Sequence, residues 1–358
     1  MPMMFDVRSA SASYRVVSEW NAFASSAPAM RDGVVIADVY FAHELASRGV
    51  VSIALQANEA AKSLDAIGSV IAQMREAGAT RDTHLWAVGG GTIQDVAAFV
   101  SSIYMRGISW TYVPTTLLGM VDSCIGGKSS INVGSFKNIV GTFHSPTAVL
   151  IDPTLISTTT VEQRIAGLNE AAKICYCRGA NVFAEYLSLE PNGDLAPNEL
   201  EAIIHLSLRA KKWFIEIDEF DRAERLLLNL GHTFGHALEG ASGYQLGHGV
   251  AVGVGILCSL ALSRELLSRS PGGAAASLEG HVHALLGALP DLPGILEAID
   301  VGQVFDRLKS DKKHESEHYR FVIFDANGVV QVTRLPKDDG TRAAVSTAIQ
   351  TTLGLLST

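Results

Sequence analysis

The pattern of apolar residues changes character near residue 155, and that change dictates a fold in two parts. Before it, short apolar runs alternate with segments of helical spacing. Strands are expected at 33–38, 50–55, 85–88 and 110–113, and helices at 41–47, 64–77 and 93–104. Strands and helices alternating at this pitch specify a parallel sheet covered on both faces. After Val149-Leu150-Ile151-Asp152-Pro153 the segments 161–178, 197–218, 226–240, 250–268 and 278–289 all carry helical periodicity. One late run, Arg320 to Phe324 followed by Asp325-Ala326-Asn327-Gly328, reads as a hairpin. The expectation is an α/β domain over 1–157 and a mostly helical domain over 158–358. A chain of 358 residues has the length for two domains.

Composition narrows the function classes. A hydrophobic share of 47% with 18% charged residues excludes wholesale disorder. Lys plus Arg number 28 against 37 acidic residues, so a broad basic surface for nucleic acid is excluded, while a local cationic pocket is not. The longest apolar candidate, Val250 to Leu262, is interrupted by Gly253 and Gly255 and reads as a buried helix, not a membrane span. Nothing near Met1 resembles a signal peptide, and Cys124, Cys175, Cys177 and Cys258 make no disulfide framework. The expectation is a soluble, cytoplasmic protein with neither nucleic acid nor membrane as partner.

Several residue groups can carry chemistry. Gly89-Gly90-Gly91, between a strand and a helix, either lets a pyrophosphate approach the helix end or forms a simple tight turn. Asp38 at the end of the first strand suits a ribose hydroxyl or a helix cap. The stretch holding Asp122, Ser123, Gly126, Gly127, Lys128, Asn132, Lys137 and Asn138 reads as a phosphate or carboxylate pocket, or as a solvated loop. His232 and His236 share a helical face; with His248 and Glu170 they suit a catalytic zinc that keeps an open position. Arg225 and Asn229 lie nearby in sequence, and Lys173 is one turn beyond Glu170. Arg106 is either a charge complementing a helix end or a group aimed at an anion. The cysteines read as small apolar fillers, and His84, His144, His205, His281, His283, His314 and His318 as surface or packing residues.

Taken together these motifs resemble the 3-dehydroquinate synthase family of sugar phosphate cyclases. The resemblance runs from about residue 34 to residue 324. It is carried by Gly89–Asp95, Tyr104-Met105-Arg106-Gly107, Val113–Leu118, Val121–Lys128, Lys137-Asn138, Asn229–Glu239, His248-Gly249 and Asp311-Lys312-Lys313. It implies an α/β nucleotide-binding domain, an all-α metal- and substrate-binding domain, and an active site in the cleft between them. It implies NAD on Asp38, Glu59, Lys62, Gly89, Gly90, Gly91, Asp95, Thr115, Thr116, Asp122 and Ser123, and zinc or cobalt on Glu170, His232 and His248. Substrate contacts fall on Asp122, Lys128, Lys137, Asn138, Lys173, Lys211, Arg225, Asn229, His236 and one of Lys312 and Lys313. Lys128, Lys173, Lys211, Arg225, Asn229, His236 and Asn138 are implied as the catalytic set. Arg106 matches an arginine that reaches the neighbouring subunit's site, which implies a homodimer.

The implied reaction converts a seven-carbon 3-deoxy sugar acid 7-phosphate to a dehydroquinate-type carbocycle with loss of phosphate, a step of aromatic amino acid biosynthesis. NAD is recycled, and the metal acts as a Lewis acid. The chain departs from the family pattern at Asn58, at Asn169-Glu170-Ala171-Ala172-Lys173, at Asp221-Arg222-Ala223 and at Ser129-Ser130-Ile131-Asn132. These departures favour a divergent paralogue. Retention of Arg225 with Asn229 favours an acid-bearing substrate over sedoheptulose 7-phosphate or glucose 6-phosphate, with an amino analogue as an alternative. A metal-dependent polyol dehydrogenase is the alternative of another type.

Overall fold

A computed structural model describes residues 3–134, 136–309 and 316–357. The chain divides into two compact units, Met1–Thr159 with Ala196–Phe220, and Thr160–Leu195 with Asp221–Thr358. Elements of the first unit run β1 (Met3–Arg8), β2 (Ser13–Ser18), α1 (Ala22–Met30), β3 (Val34–Asp38), α2 (Val39–Ser47), β4 (Ser52–Leu55), α3 (Leu64–Glu76), β5 (Leu85–Gly89), α4 (Gly91–Ile103), β6 (Trp110–Pro114), β7 (Ile131–Val133), β8 (Phe136–Val140) and β9 (Ala148–Ile151). The seven-stranded sheet has the order β1-β2-β9-β6-β5-β3-β4, parallel throughout except for β1 with β2. Strands β5 and β6 are buried along their whole length, which their unbroken apolar sequences require. The antiparallel β7–β8 pair stands apart from this sheet.

Strand β3 pairs with β4 on one side and β5 on the other, so the winding direction reverses there. The crevice outside the carboxyl ends at such a reversal is where open α/β sheets take ligands. Asp38 ends β3 and Gly89 ends β5, so the topology brings these two residues to that crevice.

Helices α5 (Val161–Arg178) and α6 (Ala180–Leu187) open the second unit, and α7 (Pro197–Ile217) belongs to the first. Helical periodicity predicts α7 but not its partner. Side chains fix it: Ser207 Oγ donates to Val121 O at 3.0 Å, Trp20 Nε1 to Glu201 at 3.1 Å, and Arg8 N to Glu216 at 2.9 Å. Strands β1 and β2 and helix α1 lie where the sequence shows only a polar, interrupted pattern. Buried Asp152 anchors α1 by accepting the N–H groups of Asn21 and Phe23, both at 3.1 Å.

The second unit continues through α8 (His232–Ala241), α9 (His248–Leu267), α10 (Ala275–Gly287), α11 (Leu292–Glu297), α12 (Val301–Lys309), the hairpin β10 (His318–Phe324) and β11 (Val330–Pro336), and α13 (Asp339–Leu356). Helix α5 starts where expected because Thr160 and Gln163 form a reciprocal capping box. The hairpin qualifies the all-α expectation for this unit; it closes on Gly328 at φ +81°, with Asp325 Oδ1 accepting two loop N–H groups at 2.8 Å. The helix expected over 226–240 is broken: a short 3-10 segment covers Glu224–Asn229, Gly231 turns at φ +78°, and α8 begins at His232.

Helix α9 is the spine, packed against α5, α8, α10, α13 and β10. Among the described residues it is the one helix long and apolar enough to cross a membrane, yet 78% of its apolar window is buried inside the fold. A helix apolar all round suits such a central place. Its glycines admit close neighbours: a Cβ on Gly255 would lie 2.0 Å from Gly231 O. Gly255→Ala should therefore cost about 1–3 kcal/mol. Gly280→Ala, in open space on α10, should gain up to about 1 kcal/mol from helix propensity. Thermal melts of both variants check this, and equal midpoints would refute the close-approach account.

Candidate functional site

The polar residues singled out by sequence form two groups, one on each unit. In the first unit, Asp38 Oδ1 caps α2 by accepting Tyr40 N–H at 3.1 Å. The three glycines of the β5–α4 turn differ in role. A Cβ on Gly89 would meet Ile93 at 2.4 Å and one on Gly90 would meet Thr116 at 3.1 Å, whereas Gly91 faces open space. Packing demands the first two, and the third leaves room at the N-terminus of α4, which has no side-chain cap. Thr115 N–H donates to Gly89 O at 3.0 Å, and Thr116 Oγ1 accepts Gly119 N–H at 3.2 Å, tying both threonines to the same end of the sheet.

Asp122 and Ser123 lie on the short π-helical turn Gly119–Ser123. Lys211, buried on α7, pairs with Asp122 Oδ1 at 2.7 Å and also donates to the Asp122 carbonyl. Ser123 Oγ donates to Gln94 Oε1 at 2.5 Å while Gln94 Nε2 returns a bond to Ser123 O at 2.6 Å. Gln94 is buried, and the sequence reading assigned it no role.

A second network joins the remaining cofactor and substrate candidates. Lys62 Nζ pairs with Asp95 at 2.7 Å and donates to Asn138 Oδ1 at 3.3 Å, and Lys137 pairs with Glu59 at 3.1 Å. Burial pushes the Asp95 carboxyl up, and Lys62 and the Ser130 N–H work against that rise. Burial also acts to raise Glu59, but the Asn132 hydrogen bond and the charges of Lys62 and Lys137 outweigh it and hold the group below the usual range. Half-buried Lys128 bridges Phe143 through its backbone, beside Gly127 at φ +63°. Arg106 is exposed on a turn where Met105, Arg106 and Gly107 all have positive φ.

In the second unit, Glu170 is fully buried on α5. Lys173, one turn on and equally buried, forms an ion pair with Oε2. His248 Nε2 and His232 Nε2 lie 3.4 and 3.6 Å from Oε1. Carbonyls only accept, so His232 Nδ1 is the donor in its 3.3 Å contact with Leu230 O. His248 Nδ1 likewise faces Glu239 Oε2 at 3.4 Å. Both imidazoles thus present Nε2 to a dehydrated carboxylate, a donor set that fits a zinc-like cation. His236 joins the cluster: one ligand atom each from His232, His236 and His248 lie within 4.8 Å of one another. Burial opposes charge on His248, but Glu170 and Glu239 outweigh it and raise the group to about 10.

Arg225 is 3% exposed on the Glu224–Asn229 segment. Asn229 Nδ2 donates to Leu226 O at 3.1 Å and lines a small cleft with Leu226, Thr233, Arg320, Val322 and Val332. Lys312, Lys313 and His314 lie outside the described residues.

The switch-point sheet and the helical unit with its buried carboxylate–histidine cluster define a two-domain fold shared with a solved 2-deoxy-scyllo-inosose synthase. That structure, complexed with carbaglucose-6-phosphate, NAD+ and Co2+, matches at TM-score 0.82 and 22% identity over 98% of this chain and 100% of its own. A probable glycerol dehydrogenase from Sinorhizobium meliloti 1021 matches less well, at TM-score 0.62 and 16% identity over 95% and 96%. In sequence, residues 52–166 match the N-terminal model of 3-dehydroquinate synthase and residues 167–314 the C-terminal model. A 3-dehydroquinate synthase of Xylella fastidiosa (strain 9a5c) is 38% identical over 283 residues, 76% of this chain and 70% of that one. The chain belongs to the 3-dehydroquinate synthase family.

The histidine cluster makes a test of its own. Glu170 and Glu239 favour the protonated form of His248, so a cation that bound at its Nε2 would have to displace a proton. Zinc titrated into metal-free protein at pH 7 should release about one proton, and affinity should rise with pH. Calorimetry in buffers of different ionisation heat reads this directly; buffer-independent heats would contradict it.

Proposed function

We propose that the chain is an NAD- and metal-dependent lyase that converts a seven-carbon 3-deoxy sugar acid 7-phosphate to a dehydroquinate-type carbocycle, eliminating phosphate. It acts in the cytoplasm as a homodimer, with Arg106 offered to the partner's site. The α/β part, 1–157, holds NAD through Asp38, the Gly89–Gly91 turn, Asp95, Thr115, Thr116 and the Glu59/Lys62 network. The helical part, 158–358, holds zinc or cobalt on Glu170, His232 and His248. When bound, NAD supplies a reversible hydride acceptor and the metal a Lewis acid.

The protein's own side chains bind and orient. Lys128, Lys137 and Lys211 are point charges for phosphate, and Asn138 is a neutral donor beside them. The pairing of Lys211 with Asp122 fixes one of these ammonium groups before any ligand arrives. His236 gives or takes the proton at the departing phosphate. The observation that carries the substrate class is Arg225, a buried guanidinium four residues before the cleft-lining Asn229. A planar, permanently charged donor in such a place suits a carboxylate and has no use for a neutral sugar tail.

Zinc-loaded protein with catalytic NAD should release phosphate from the seven-carbon sugar acid phosphate and not from sedoheptulose 7-phosphate or glucose 6-phosphate. Release only from a neutral sugar phosphate would keep the cyclase and overturn the reading of Arg225. Arg225→Ala and Lys128→Ala should each lower kcat/KM by at least about 30-fold, equivalent to about 2 kcal/mol, with fold and metal content unchanged. Full activity in either variant would remove that residue from the pocket.

A further inference from the structure

Asn132 belongs to the polar stretch singled out in the sequence, and its bond to Glu59 is one of several. It sits in the three-residue strand β7 and is 8% exposed. Its three polar groups reach three separate parts of the site. The backbone N–H donates to Lys62 O at 2.8 Å. Nδ2 donates to Glu59 Oε2 at 2.8 Å, and Oδ1 accepts the Asn138 N–H at 2.9 Å. Lys62 closes the ring by donating to Asn138 Oδ1 at 3.3 Å.

We infer that Asn132 is a positioning residue that couples the cofactor side of this site to its substrate side. The inference rests on the proposed function, in which Glu59 and Lys62 face NAD and Asn138 faces the sugar phosphate. Asn138 adopts φ +53°, a left-handed conformation that asparagine tolerates better than most residues and that its N–H bond to Asn132 supports. The amide oxygen of Asn132 is bonded to the N–H of that residue, and the amide nitrogen of the same group holds the Glu59 carboxylate. One carboxamide therefore sets two geometries at once, and only a side chain with a donor and an acceptor on one short stem can do so. Aspartate at this position would keep the acceptor for Asn138 and turn an oxygen toward Glu59, breaking one arm and sparing the other.

The test separates the arms. In metal-loaded protein, Asn132→Asp should weaken NAD binding about tenfold, the loss typical of a hydrogen bond to a charged group, with KM for the sugar acid phosphate within about twofold of the parent. Asn132→Ala should raise both the NAD dissociation constant and that KM about tenfold. The effects of Asn132→Ala and Glu59→Gln on NAD binding should be less than additive in the double variant. The aspartate variant is isosteric, so it reports even where the alanine variant folds poorly. A lowered melting temperature in Asn132→Asp with NAD affinity unchanged would overturn the inference and leave Asn132 a purely structural residue. Unaltered NAD binding in Glu59→Gln together with unaltered KM in Asn138→Ala would instead overturn the underlying assignment of the site, and the coupling with it.

Discussion

Glu170 is a carboxylate sealed from water in the buried middle of α5, and burying such a charge is costly unless positive charge meets it. The arrangement of the second unit answers that demand. Lys173 meets one oxygen from a helical turn away, and the imidazoles of α8 and α9 turn their Nε2 atoms toward the other. The break at Gly231 is what starts α8 at His232, and the glycines of α9 are what let α5 and α8 come close enough to matter. His248 answers the same demand from the other side: Glu170 and Glu239 draw a proton to its imidazole.

The first unit meets a different constraint. In a chain of net charge −9, three of its lysines are each held by an acid. Lys211 is held by Asp122, Lys62 by Asp95 and Lys137 by Glu59. Lys62 and Lys211 are buried, so their acids also offset the cost of burying the charge, while the more exposed Lys137–Glu59 pair contributes little to stability. The tethers cross long stretches of sequence, as in the 89 positions between Asp122 and Lys211. The Lys211–Asp122 pair adds to the contacts that hold α7 in the first unit.

Much of this was legible before any coordinates. Buried parallel strands announce themselves as unbroken apolar runs, so β3, β5 and β6 lie where expected, and a strong periodicity with a capping box places α5. Periodicity reports that a face is buried and is silent about what buries it, which is why the partner of α7 was not legible. Edge strand β1 and its neighbour β2 alternate too weakly to be read, and one glycine at positive φ split a helix that spacing alone would continue. The residue types of the site were readable from motifs. Of the groups that hold them, Asn132 stands in the polar stretch, while Gln94 and Glu239 became visible only as hydrogen-bond partners. A polar residue that bonds across the chain carries no local signal of its partner.

The account's central claim is that the redox chemistry closes within one turnover, leaving carbocycle and phosphate as products. Its most direct test follows phosphate release and absorbance at the NADH band together, with NAD far below substrate. The account predicts many phosphates released per NAD and no lasting rise in NADH. NADH accumulating in step with substrate consumed, without phosphate, would contradict it and make the chain a dehydrogenase.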